Sequence, residues 1–152
     1  MGGSYKQRYP VKGAYVRWTS KIFPSYRDVS GSVVSRKRLN RIKPLVKRIL
    51  IDDSSVIEKE FKKRHSGHVK VDFNLALEKV ERARLSSVVK PTEEFYGLTS
   101  GRFIWITPMK MSDECLIGTL LHEALHDICT VNGKFMCEND EHIVMRSLGD
   151  VW

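Results

Sequence analysis

A chain of 152 residues that is 41% hydrophobic is sized for one domain with a modest core. It holds no run of eighteen apolar residues, which excludes a membrane-spanning helix, and its polar, basic N-terminus lacks the apolar segment of a secretory signal. The formal net charge of +8 is unevenly placed: residues 1–50 carry 13 Lys/Arg against Asp28 alone, a net of +12, and the remainder is net acidic.

Residues 1–35 are broken up by Gly2, Gly3, Pro10, Gly13, Pro24 and Gly31 and read as an extended basic arm with interleaved aromatics, Tyr5, Tyr9, Tyr15, Trp18, Phe23 and Tyr26. Residues 36–152 read as the folded domain. Its first helix covers 36–50, started or interrupted by Pro44. Asp53 and Ser54 cap a second helix over 55–64 with Val56, Ile57 and Phe61 inward, and Ser66-Gly67 ends it. Residues 68–73 alternate as a strand. Residues 74–85 fit a helix through Leu77, Val80 and Ala83, although a strand would also suit a sheet there. Residues 94–99 and 102–107 form strands joined through Ser100-Gly101 as a hairpin. His65 and His68 flank a basic turn and read as surface residues.

The most informative segment follows. Leu116, Ile117, Leu120, Leu121, Ala124, Leu125 and Ile128 keep a helical apolar period over 116–129, with Ser112-Asp113-Glu114 as the start signal. Inside that run stands His122-Glu123-Ala124-Leu125-His126, an H-E-x-x-H motif. Residues four apart share a helix face, so both imidazoles can grip one metal ion from the same side. Glu123, one residue on, can reach a water held by that metal without ligating it. The pattern points to a zinc hydrolase, with one Zn2+ ion and Glu123 as the catalytic base.

A tetrahedral catalytic zinc needs a third protein ligand and one open position. A loop over 127–138, turning at Asn132-Gly133, leads to a last helix from about 139 to 152. There Glu141 shares the apolar face with Val144, Met145 and Leu148, whereas His142 lies on a wetter face with Met145 and Arg146. Glu141 is therefore the expected third ligand and His142 the alternative. Cys115 and Cys129 read as buried helix residues. An odd, sparse set of three cysteines suits free thiols in a reducing, intracellular compartment.

His122-Glu123-x-x-His126 followed by a helix carrying Glu141 resembles the zincin metallopeptidases of the gluzincin type. Tyr96-Gly97-Leu98 through Ile104-Trp105-Ile106-Thr107, the motif, and Leu148-Gly149-Asp150 are similar to small SprT-like peptidases of phages and large DNA viruses, over residues 68–152. One departure is that many of those proteins place a histidine followed by glycine as third ligand, and His142 precedes Ile143. The resemblance implies an α+β minimal zincin-like domain: a small mixed sheet, the motif helix and a C-terminal helix behind the basic arm. It also implies a peptidase acting on a protein or peptide, within a virion or an infected host cell. Extended substrate would lie along an edge strand, for which Phe103, Ile104, Trp105 and Ile106 are the candidates. Tyr96 and Arg146 are candidates to stabilise the oxyanion.

The densest basic run, Arg36, Lys37, Arg38, Arg41, Lys43, Lys47 and Arg48, with the arm's aromatics before it, suits nucleic-acid phosphates and unstacked bases. An acidic protein partner would suit it as well. Two functional alternatives follow. One is a nucleic-acid-associated protein that cuts DNA-bound proteins or only binds. The other is a viral structural or assembly protein whose zinc serves stability.

Overall fold

A computed structural model describes residues 7–11, 14–18, 23, 31–87 and 96–150. They form a mixed α+β fold. Strands β1 (Gln7–Val11) and β2 (Ala14–Trp18) pair antiparallel as a separate two-stranded ribbon within the stretch read as an extended arm. Of the arm's aromatics, only Phe23 has a described side chain, and it is buried. Tyr5, Tyr26 and the side chains of Tyr9, Tyr15 and Trp18 lie outside the described residues.

Helix α1 (Arg36–Asp52) starts at Ser35, whose hydroxyl accepts from the Arg38 N–H, as an N-cap serine should. Leu39, Ile42, Val46, Ile49 and Leu50 are buried along one stripe, each worth roughly 1.5–3 kcal/mol on burial. Pro44 sits inside the helix on its exposed side, where water can take up the carbonyl that lacks a donor. Helix α2 (Ser54–Lys62) buries Ile57 and Phe61 but leaves Val56 exposed.

Strand β3 (Val69–Val71) is shorter than the alternation suggests, because Asp72 caps helix α3 (Phe73–Arg82) by accepting from the Leu75 N–H. A period of two is therefore broken by a capping carboxylate just before Phe73. The ambiguous 74–85 stretch divides: α3 ends at Ala83, and β4 (Arg84–Leu85) joins β6 (Phe103–Ile106) in parallel. Strand β5 (Gly97–Ser100) pairs antiparallel with β6, turning at Gly101, whose φ of 58° suits glycine. Residues 94 and 95 lie outside the described residues.

The strand order β4-β6-β5 makes β6 central and β5 an edge. Ile104 and Ile106 are fully buried, and Phe103 and Trp105 occupy the opposite, more exposed face. Helix α4 (Asp113–Leu125) packs against this sheet and against α1 and α3. Almost all its side chains are buried, as a helix at the centre of a fold requires. The 127–138 loop contains strands β7 (Cys129–Val131) and β8 (Lys134–Phe135). They are joined by Asn132 at φ 52° and Gly133 at φ 82°, the paired positive φ of a two-residue hairpin turn. Strands β3, β7 and β8 form the second three-stranded sheet. Helix α5 (Glu138–Leu148) closes the fold and ends at Gly149, whose φ of 112° a side chain would resist. Trp152 lies outside the described residues. No helix among the described residues is long and apolar enough to cross a membrane.

Candidate metal centre

His122 and His126 come from the end of α4, and His142 comes from the first turns of α5. His126 Nε2 lies 3.1 Å from His122 Nε2 and 3.2 Å from His142 Nε2. The three side chains can hold one metal ion. Their outer nitrogens explain the convergence. His126 Nδ1 is 2.8 Å from Glu141 Oε1, and His122 Nδ1 bonds Asp150 Oδ2. An ionised carboxylate can only accept, so both Nδ1 atoms donate, which leaves the neutral rings with Nε2 lone pairs. Two lone pairs 3.1 Å apart repel unless a metal ion lies between them or one ring carries a second proton. Zn–N bonds of about 2.0–2.1 Å in tetrahedral geometry would put ligand nitrogens about 3.3 Å apart, close to the two spacings at His126, while the three ligand atoms together lie within 4.8 Å of one another.

Glu141 therefore does not take the place first expected of it. It is buried and faces α4, as its apolar neighbours Val144, Met145 and Leu148 foretell. Its carboxylate, however, meets the back of His126 and accepts the Asp127 N–H at 2.7 Å. His142, the alternative, supplies the third nitrogen. Its half-buried position suits the side of the cluster that opens to a cleft. Carboxylates behind ligating imidazoles fix ring orientation and raise ligand basicity.

The local backbone makes these contacts. Ser112 caps α4 by accepting from the Cys115 N–H at 3.1 Å. The helix stops at Leu125, earlier than the apolar period suggests, with His126 at ψ 143° and Asp127 at φ 58°. At the far end of α5, Gly149 turns the chain, and the Asp150 N–H donates to Met145 O at 2.9 Å. That hairpin-like reversal returns the Asp150 carboxylate to His122. The sequence signal was available in Leu148-Gly149-Asp150, but nothing local says which residue the aspartate would meet.

A cleft of about 210 Å3 is lined by Gly97, Leu98, Thr99, Glu123, Asp127 and Glu138 together with the three histidines and Glu141. Thr99 Oγ1 lies 2.8 Å from both Oε1 and the backbone oxygen of Glu123. Gly97 lets β5 come close: a Cβ there would sit 3.0 Å from Glu123 Cγ. Phe103, Ile104, Trp105 and Ile106 do not line the cleft. The central position of β6 buries Ile104 and Ile106 in the core and turns Phe103 and Trp105 away, so the strand at the cleft is β5. Tyr96 and Arg146 do not line it either.

Burial lowers the pKa of His126, but the hydrogen bond and charge of Glu141 outweigh it, and the net shift is upward. His142 is shifted down by burial, then by His126 and His122. Burial pushes the Cys129 thiol up to about 11, which removes it as a ready thiolate ligand. Cys115 is buried and Cys137 is exposed at the N-cap of α5. His68 is exposed, and His65 Nε2 lies 3.1 Å from Asp140 Oδ2.

Part of the basic run of α1 is engaged within the fold. Arg38 is buried, with Nε 2.9 Å from Asp113 Oδ1 and its other nitrogens donating to Ser32 and Met111 carbonyls. Arg41 also meets Asp113, at 3.3 Å. Lys43 donates to Glu81 O and Lys47 pairs with the Glu81 carboxylate at 2.8 Å. Arg36, Lys37 and Arg48 are exposed. The amphipathic period of α1 places Arg38 on the buried stripe, so a count of charges overstates the free basic face.

No family model, no curated protein and no solved structure matches this chain.

Proposed function

We propose that the protein is a zinc-dependent peptidase. The observation that carries this reading is the convergence of the His122, His126 and His142 Nε2 atoms beside the Glu123 carboxylate in one cleft. Three neutral imidazoles with an open fourth position are the donor set of a catalytic rather than a closed structural zinc. Zinc bound there supplies Lewis acidity, lowering the pKa of water and polarising a scissile carbonyl. Glu123 takes the proton of the attacking water and passes it to the leaving amine. The Thr99 hydroxyl holds one oxygen of that carboxylate and leaves the other for the proton. Peptide is the favoured substrate because β5 is a sheet edge that lines the cleft with Gly97, Leu98 and Thr99. Among the described residues its outer edge has no strand partner, which suits strand addition by an extended chain.

The test is zinc content and peptide hydrolysis of the wild type and Glu123→Gln. One zinc per chain in both, with hydrolysis reduced about 10²–10⁴-fold in the variant, is the expected outcome. Equal activity in the variant would falsify the assignment of Glu123. Tight zinc with no hydrolysis, and unfolding on chelation, would replace the reading with a stabilising metal.

A further inference from the structure

Helix α4 ends at the residue that must ligate. The last four carbonyls of a helix have no donors of their own, and a glycine beyond the end is the usual remedy. Here Asp127 and Ile128 follow His126. Instead, a fully buried lysine from α3 reaches the helix end: Lys79 Nζ donates to Glu123 O at 3.1 Å and to His126 O. Its charge also matches the negative end of the helix dipole.

We propose that Lys79 is a positioning residue for the metal centre, setting where the motif helix stops and hence where His126 and Glu123 stand. Both carbonyls it holds belong to residues of the cleft. With Lys79 on the Glu123 carbonyl, that oxygen is already satisfied, and the single proton of Thr99 is free for the Glu123 carboxylate 2.8 Å away. One buried ammonium thus fixes the His126 backbone at its departure from helical geometry and releases Thr99 to orient the base. Without it, the Glu123 carbonyl competes with the Glu123 carboxylate for the single Thr99 proton, and the His126 carbonyl loses the lysine donor. The helix end is then free to fray or run on through His126, carrying its ring away from His122.

The inference rests on the metal-site reading above. It is tested on the full-length protein by zinc affinity, from competition with a chelator, and by the visible spectrum of the Co2+-substituted form. Lys79→Met keeps the volume and removes the donor. It is expected to bind zinc about 10–100-fold more weakly, the range seen when a ligand's supporting partner is lost, and to alter the Co2+ bands. Val46→Ala, a core truncation on α1 outside the cleft, should lower the melting temperature and leave both readouts unchanged. Zinc affinity of Lys79→Met within about threefold of wild type with the same spectrum, or an equal loss in Val46→Ala, overturns the proposal. If Lys79→Met does not fold, Lys79→Gln is read by the same two outcomes. A wild type that binds no zinc overturns the metal reading, and the positioning role with it.

Discussion

The two ends of α4 are held by opposite charges and by different kinds of residue. At the N-terminal end, Ser112 caps the helix from its own sequence, and Asp113 sits at the positive pole, gripped by Arg38 and Arg41. At the C-terminal end no local cap is made, and Lys79 from α3 takes the Glu123 and His126 carbonyls while Thr99 from β5 holds the Glu123 carboxylate. Both arrangements complement the helix dipole. The first is anchored by local chemistry with a distant clamp added, and the second exists only through distant side chains. The candidate metal centre lies at the second end, where an abrupt stop presents His126 and Glu123 to a cleft shared with α5 and β5.

Perturbing the first end should cost stability and spare the metal. Arg38→Ala leaves Asp113 buried and still paired with Arg41. Breaking a buried pair costs about 3–5 kcal/mol, and the low end is expected because Arg41 stays. Urea unfolding would measure this, and an unchanged zinc affinity of the folded fraction would separate the two ends. A loss of zinc affinity matching that of the Lys79 variant would erase the distinction.

Asp53, at the junction of α1 and α2, tests the same core by pH. Burial raises its pKa from 3.8 to about 6. A raised carboxyl pKa means that the folded protein binds the proton more tightly than the unfolded chain. The stability it lends is present at acid pH and declines as pH rises from about 4 to about 6. Asp53→Asn should remove that decline, gaining up to about 3 kcal/mol at pH 7 relative to wild type, one unit being about 1.4 kcal/mol. Melting curves between pH 4 and pH 7 that stay parallel for the two proteins would refute it.

Glu141→Ala asks whether the carboxylate supports His126 or ligates in its own right. Support predicts zinc binding weakened about 10–100-fold. Abolished binding would return Glu141 to the ligand set. The smallest effect is expected at Ser112→Ala, about 1 kcal/mol of stability for a lost N-cap, with hydrolysis per folded molecule unchanged. A thermal scan beside an activity assay would show whether the N-terminal end is as separable as the geometry implies.

Much of the site was legible because it rests on period and spacing. His122, Glu123 and His126 follow from a helix face, Ser112 from cap chemistry, and the burial of Glu141 from the face it shares with Val144 and Leu148. What was misassigned turned on partners rather than on faces. The inward glutamate is expected as a ligand, but its carboxylate meets His126 Nδ1 and it is His142 Nε2 that joins the cluster. The apolar Phe103–Ile106 strand was read as an edge, but β4 arrives in parallel on its other side. Arg38 was counted with a free basic face, although its place in the apolar stripe buries it.

The sequence by itself determined α1, α2, α4 and α5, the Ser112 cap, the turns at Gly101 and Asn132-Gly133, and the pair of histidines on one face. These depend on interactions spanning a few residues, for which spacing is sufficient. Only the tertiary structure brought His142 to His122 and His126, set Asp150 and Glu141 behind the imidazoles, put β5 beside the cleft, and brought Lys79 to the carbonyls at the end of α4. Each of those joins residues between 15 and 47 positions apart. Their contact depends on how whole elements pack, and packing is fixed by the burial of many side chains at once rather than by any local pattern.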